Sequence, residues 1–286
     1  MKVNSILNCS LSFGLVFVLL STPMQALASE SQARELQPGL LSAFFGLDNS
    51  LPFAANMLCL GASGKDGMPV IFSHTIDEAT LDTKDFEVIT ESGIAHTPDC
   101  VTLRPAQDKG ELRTVLLIGE FGDADDDPPV TVQVVGDLLA DATDAQERDR
   151  VNYLSAEVAV TPLQAGPFLV LAQLVPLDQL AKDTRGTECP QSTQQVVRAT
   201  WAGGVRLPNG DDLGDKERTL YRVVVQGGRE LAPMAIADLG DNDNNHLLCL
   251  DTHDPAIVIS FPAGHLVDPN QDLNQRSQIS VMRGVK

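Results

Sequence analysis

The feature that most constrains this chain is a pattern of strand-like segments that occurs twice. Its first copy runs from Cys59 to about Leu139 and its second from Cys189 to about Leu266. Each opens with a cysteine and a β-like run, Met68–Ser73 in one and Gln195–Trp201 in the other. A long turn follows, then an aromatic-led strand (Phe86-Glu-Val-Ile-Thr; Tyr221-Arg-Val-Val-Val), a glycine and, five residues later, a proline. Thr114-Val-Leu-Leu then aligns with His246-Leu-Leu-Cys, and Pro129–Gly136 with Pro255–Gly264. A competing register sets Phe121-Gly-Asp-Ala-Asp against Leu239-Gly-Asp-Asn-Asp, but it breaks the order of strands. Similarity of this length marks duplicated supersecondary units.

The units read as β. Val70 and Phe72, Phe86 and Val88, Val101 and Leu103, and Val130, Val132 and Val134 alternate with polar neighbours, the period of a half-buried strand. Thr114–Ile118 is a continuous apolar run of strand length and suits a central strand covered on both faces. Gly- and Asp-rich turns separate these runs. The expected fold is all-β, two antiparallel β-sandwich domains in tandem. The expected boundaries are a signal peptide over 1–28, a flexible or short helical N-terminal segment over 29–50, a first sandwich over 51–140, a charged linker over 141–152 and a second sandwich over 153–286.

Residues 1–28 carry the marks of an export signal: Lys2, an apolar stretch from Leu11 to Leu20, and Ala26-Leu27-Ala28 before the expected cleavage. The apolar stretch is too short to remain as a membrane span, so the mature chain is expected to be periplasmic or extracellular with no span. Removing Cys9 leaves Cys59, Cys100, Cys189 and Cys249. An even number in an oxidising compartment favours two disulfides, with three connectivities open. Each copy of the repeat holds two cysteines, which selects Cys59–Cys100 and Cys189–Cys249.

The chain holds 39 Asp and Glu against 20 Lys and Arg. Lys2 lies in the leader, so the mature charge is −20. This balance argues against nucleic acid as partner, because such binding rests on neutralising phosphates, and against an anionic membrane surface. It suits solubility and cation binding.

The stretch Pro69-Val-Ile-Phe-Ser-His-Thr-Ile-Asp-Glu-Ala-Thr-Leu-Asp-Thr-Lys-Asp-Phe-Glu-Val resembles the opening of bacterial Ig-like domains of the surface-layer type, best over residues 68–138. The second copy fits more loosely, with Trp201-Ala-Gly-Gly in place of the usual turn, and the cysteines are not part of that pattern. The resemblance implies an Ig-like fold and a role as spacer, adhesion module or appendage. The implied partner is a protein or glycan at the cell surface or in the periplasm.

Three acidic loops are candidate cation sites: Gly122–Asp127, Gly240–Asn245 and Asp268–Asn274. Calcium takes six to eight hard oxygens, and alternating Asp and Asn on a turning loop can converge several of them. The candidate calcium ligands are Asp241, Asp243, Asn245, Asp268, Asn270 and Asp272. Neither of the last two loops has EF-hand spacing, and Asp and Asn also form ordinary turns with their own backbone. His246, His253 and His265, beside Asp251 and Asp254, give an alternative transition-metal reading. No Gly-x-Ser-x-Gly elbow is present. A carboxylate-dependent hydrolase would need acids converging with shifted pKa values in a cleft between the halves. Trp201, the sole tryptophan, is expected in the core against the second disulfide. The expected function is a secreted or periplasmic, non-catalytic binding or surface-structure protein, stabilised by calcium.

Overall fold

A computed structural model describes Met1 and residues 37–141, 150–180 and 187–283. The expected signal peptide beyond Met1 and residues 142–149 of the expected linker lie outside these residues. The strands of the first half are β1 (Leu40–Phe44), β2 (Asp66–Phe72), β3 (Phe86–Thr90), β4 (Ala95–His96), β5 (Cys100–Thr102), β6 (Thr114–Gly119), β7 (Pro129–Val134) and β8 (Glu157–Thr161). Those of the second are β9 (Leu169–Val175), β10 (Gln195–Trp201), β11 (Arg222–Val225), β12 (Glu230–Leu231), β13 (Ala235–Ala237), β14 (Asn245–Leu250), β15 (Ala256–Phe261), β16 (Ser277–Ser280) and β17 (Met282–Arg283). Among the described residues no helix is long and apolar enough to cross a membrane.

The same strand order occurs twice. The first half runs β4-β3-β7-β8-β1-β2-β6-β5. The second runs β12-β11-β15-β16 in one sheet and β17-β9-β10-β14-β13 in another. In both halves the last strand changes partners. β8 pairs antiparallel with β7 through Glu157–Ala159, then parallel with β1 through Val160 and Thr161. Its counterpart is divided, β16 antiparallel to β15 and β17 parallel to β9. The turn between the third and fourth strands carries a glycine at the same place in each, Gly93 at φ 85° and Gly228 at φ 83°. This left-handed backbone is reached there without a Cβ penalty.

The pairing refines the repeat. Phe86 lies opposite Val134 and Val88 opposite Val132, while Val223 lies opposite Ile259, so Phe86 and Tyr221 are counterparts as the sequence alignment has them. The other strands slip. Asp66 faces Gly119 and Gln195 faces Leu250, which matches Thr114 with Asn245 rather than His246. The burial of β6 and β14 follows the same pattern from those residues on, as does that of β7 and β15 from Pro129 and Ala256. The apolar runs tolerate a slip by eye that hydrogen-bond register does not. The competing register fails, because Phe121 follows β6 whereas Leu239 precedes β14.

Two expectations about segments are corrected. Leu40–Phe44, placed in a flexible or short helical segment, is a strand; Phe44 and Phe45 are both buried, Phe45 in the core of the first half. The alternation there is masked because both faces are covered. Tyr153 and Glu157–Thr161, placed in the second sandwich, belong with the first: Tyr153 lies in its core and β8 in its sheet.

Each half has its own apolar core. Phe72 packs edge-on against Tyr153, with ring centroids 4.8 Å apart, and against Phe86. In the second, Trp201 and Tyr221, the counterparts of Phe72 and Phe86, pack edge-on against Phe261 at 5.4 and 4.7 Å. Such pairs add roughly 0.5–1.5 kcal/mol beyond their buried area.

Both expected disulfides are present, Cys59–Cys100 and Cys189–Cys249. They are not equivalent within the repeat. Cys100 faces Ile118, and Ala235 faces Cys249, so each half carries its bridge on a different strand. Trp201 is buried, but at the far end of β10 from Val196, which faces Cys249. Its neighbours are aromatic rings rather than the disulfide.

Candidate functional site

β10 reads Gln-Val-Val-Arg-Ala-Thr-Trp and is buried from Val196 onward. An arginine in such a strand requires a partner, since burying a lone guanidinium is costly. Arg198 finds it in the β5–β6 loop of the first half. Its Nη1 donates to the Gly110 carbonyl at 2.9 Å and its Nη2 to the Lys109 carbonyl at 3.0 Å. Its Nε lies 3.1 Å from Glu111 Oε1 but makes no aligned hydrogen bond, so that contact is an ion pair. Gly110 permits the approach: it sits at φ 88°, and a Cβ there would lie 2.5 Å from Arg198 Nη1.

Around Glu111 the carboxylates converge. One oxygen from each of Asp108, Glu111, Asp238 and Asp241 lies within 4.8 Å of all the others. Two of these residues come from the first half and two from the segment between β13 and β14. Asp108 is half-buried, and Glu111, Asp238 and Asp241 are buried. Burial foremost pushes the Glu111 carboxyl far above the usual carboxylate range; Arg198 opposes this, and Asp243 and Asp238 add to it. Asp243 is raised by burial and then by Asp241.

A cavity of about 370 Å³ opens beside this group, lined by Asp238, Asp241, Asp243, His246 and Asp268. A larger groove of about 680 Å³ adjoins it, lined by Phe44, Leu47, Leu51, Met57 and Leu116 from the first half and by Asp241 and Asp243 from the second.

The candidate ligands read from sequence separate into different roles. Asp241 joins the convergent group. Asp243 turns its oxygens onto Asn245, accepting from its N–H at 2.7 Å and its Nδ2 at 3.2 Å. Asn245 Oδ1 is taken by the Thr200 hydroxyl at 2.8 Å. Asp268 is buried, with Oδ1 accepting from the Asp272 N–H at 2.9 Å. Asn270 is exposed and donates to Asp272 at 2.8 Å. Asp123 likewise caps the local N–H groups of Asp125 and Asp126, and Asp127 accepts from the N–H of Ser92 in the β3–β4 turn. The loops therefore act as turns first.

The histidines do not come together. His246 is buried, its Nδ1 2.8 Å from the Tyr221 hydroxyl, which accepts from Trp201 Nε1 at 2.9 Å. His253 and His265 are exposed. Among the described residues, the group that brings three or more ligating side chains together is the carboxylate one.

Sequence reasoning missed Asp108 and Glu111, because Asp-Lys-Gly-Glu reads as a surface turn in so acidic a chain. The available signal was Arg198, a lone cation inside an apolar strand. No family model matches the chain, and no curated protein matches it.

Proposed function

We propose that the chain is an exported, non-catalytic protein of two Ig-like β-sandwich domains in tandem that binds a protein or glycan at the cell surface or in the periplasm. The binding role rests on one observation. In the segment between β1 and β2, Phe53, Met57 and Leu60 are 83%, 79% and 100% exposed, and Met57 lines the larger groove. Clustered exposed apolar side chains beside a concave surface mark interaction sites.

The Ig-like reading is supported by the strand order. The first, second, sixth and fifth strands of each half pair in one arm, and the third, fourth and seventh in the other, the arrangement of Ig sandwiches. Export is supported by the two disulfides.

Converging acids beside a cavity favour a hydrolase as second reading. Against it, four carboxylate oxygens within 4.8 Å of one another leave no room for a sugar between acid and nucleophile.

A tagged full-length chain expressed in a bacterial host tests the proposal. The exported fraction is expected to hold protein beginning at Ser29 that sediments with isolated cell envelopes, and Phe53→Ser with Met57→Ser is expected to abolish sedimentation. Retention in the cytoplasm, or glycoside turnover lost on Glu111→Gln, would overturn it.

A further inference from the structure

We propose that the larger groove binds a protein segment that presents apolar side chains with Lys or Arg beside them. This rests on the binding role proposed above and narrows its partner from protein or glycan to protein.

Strand alternation builds the groove. On β2 and β6, Met68, Val70, Val115 and Leu117 belong to the core of the first half. Their neighbours Pro69, Thr114 and Leu116 therefore lie on the outer face of the sheet, and all three line the groove. Pro69 stands opposite Leu116. Phe44 lines the groove from β1, while Ala43 and Phe45 on either side of it belong to the core. The outer face of an antiparallel sandwich sheet is ordinarily polar, but this one is apolar. Part of it is covered. Leu51, Ala55, Cys59 and Ala62 pack on Ile118, and Gly203 of the second half lies so close that a Cβ there would be 3.0 Å from the Phe44 ring. Between these covers the face stays open.

A second observation points to a ligand. Thr114 is 7% exposed, and its Oγ1 has no hydrogen-bond partner among the described residues. A buried hydroxyl without a partner is costly. A peptide group lying in the groove supplies a donor or an acceptor, and the hydroxyl can meet either.

Charge and ring placement select the occupant. Arg104, the one cation in the lining, donates its Nε–H to Gln107. Lys65, at the end of the β1–β2 segment, is shared between Asp99 and Glu120, and the mature chain carries −20. Such a surface attracts a basic segment and repels an acidic one. A glycan is best held by an exposed ring with a polar tip, and the one Trp and both Tyr of this chain are buried.

The test screens the full chain, with both disulfides formed, against a phage-displayed library of random peptides, with Leu116→Asp as the reference target. Peptides that prefer the unmodified chain are expected to combine apolar residues with Lys or Arg, and to bind more weakly as salt rises. Thr114→Val is expected to weaken the selected peptide roughly threefold to tenfold without lowering Tm. In the unmodified protein the peptide is expected to slow hydrogen exchange of residues 51–62, a measurement that holds even where a variant fails to fold. No peptide that prefers the unmodified chain, a selected set rich in Asp and Glu, unchanged binding by Thr114→Val, or no slowing over residues 51–62 would each overturn the proposal. Envelope sedimentation blocked by envelope polysaccharide but not by the peptide would overturn it too, and would leave the binding role standing. Peptide binding by a chain that does not sediment with envelopes would uphold the groove and remove the envelope role.

Discussion

Arg198 and Glu111 form an ion pair at 3.1 Å with both side chains nearly excluded from water, one from each half of the repeat. Breaking a buried pair from one side leaves the other charge uncompensated, at a cost of about 3–5 kcal/mol. Arg198→Met is therefore expected to destabilise strongly, because Glu111 loses its ion-pair partner. Adding Glu111→Leu is expected to recover much of the loss. A double-mutant cycle by urea denaturation measures the coupling. Additive effects would mean that the pair contributes nothing across the seam.

Gly110 sits at φ 88° with Arg198 Nη1 at 2.5 Å from where a Cβ would be. Gly110→Ala is expected to cost roughly 1–2 kcal/mol from the left-handed backbone alone. A further loss is expected as the guanidinium is displaced from the carbonyls it serves. In an Arg198→Ala background only the backbone part should remain. Equal losses in the two backgrounds would show that the close approach carries no energy.

Much of the fold could be read from the sequence because strand alternation, turn glycines and paired cysteines are local signals. Phe86 and Tyr221, and Gly93 and Gly228, stand where the repeat places them, and each disulfide joins two cysteines of one half, though on different strands. Leu40–Phe44 could not be read, since a strand whose buried run ends in two phenylalanines shows no alternation. Glu157–Thr161 was legible as a strand but not as a member of the first half, because its partners β7 and β1 are fixed by tertiary pairing. The candidate site was half legible. Asp241 was named for its loop, but Asp108 and Glu111 reach it through the fold, and no spacing connects residue 111 to residue 238.

The disulfides close stretches of 41 and 60 residues. In the chain-entropy model each limits the unfolded state by about 4 kcal/mol. Cys189→Ser with Cys249→Ser is expected to remove about that much, and Cys59→Ser with Cys100→Ser slightly less. Denaturant midpoints of the two double variants test the order. Cys249 is fully buried on a central strand, whereas Cys100 is on an edge strand, so cavity formation should widen the gap.

His246 gives the chain a definite acid limb. Burial lowers its pKa to about 4, and the Tyr221 hydroxyl donates to its Nδ1, so the folded protein holds it neutral. In the unfolded chain it titrates near 6.5. Above that pH both states hold a neutral ring and the residue has no pH effect. As pH falls from about 6.5 toward 4, only the unfolded state gains the proton, and the folded state loses up to roughly 3 kcal/mol by linkage. His246→Gln keeps an acceptor for Tyr221 but cannot titrate. The difference in unfolding free energy between the two proteins should be constant above pH 7. From pH 6.5 to 4 it should move against the unmodified protein by about that amount. A difference that stays flat down to pH 4 would mean that His246 is protonated as easily in the fold as outside it.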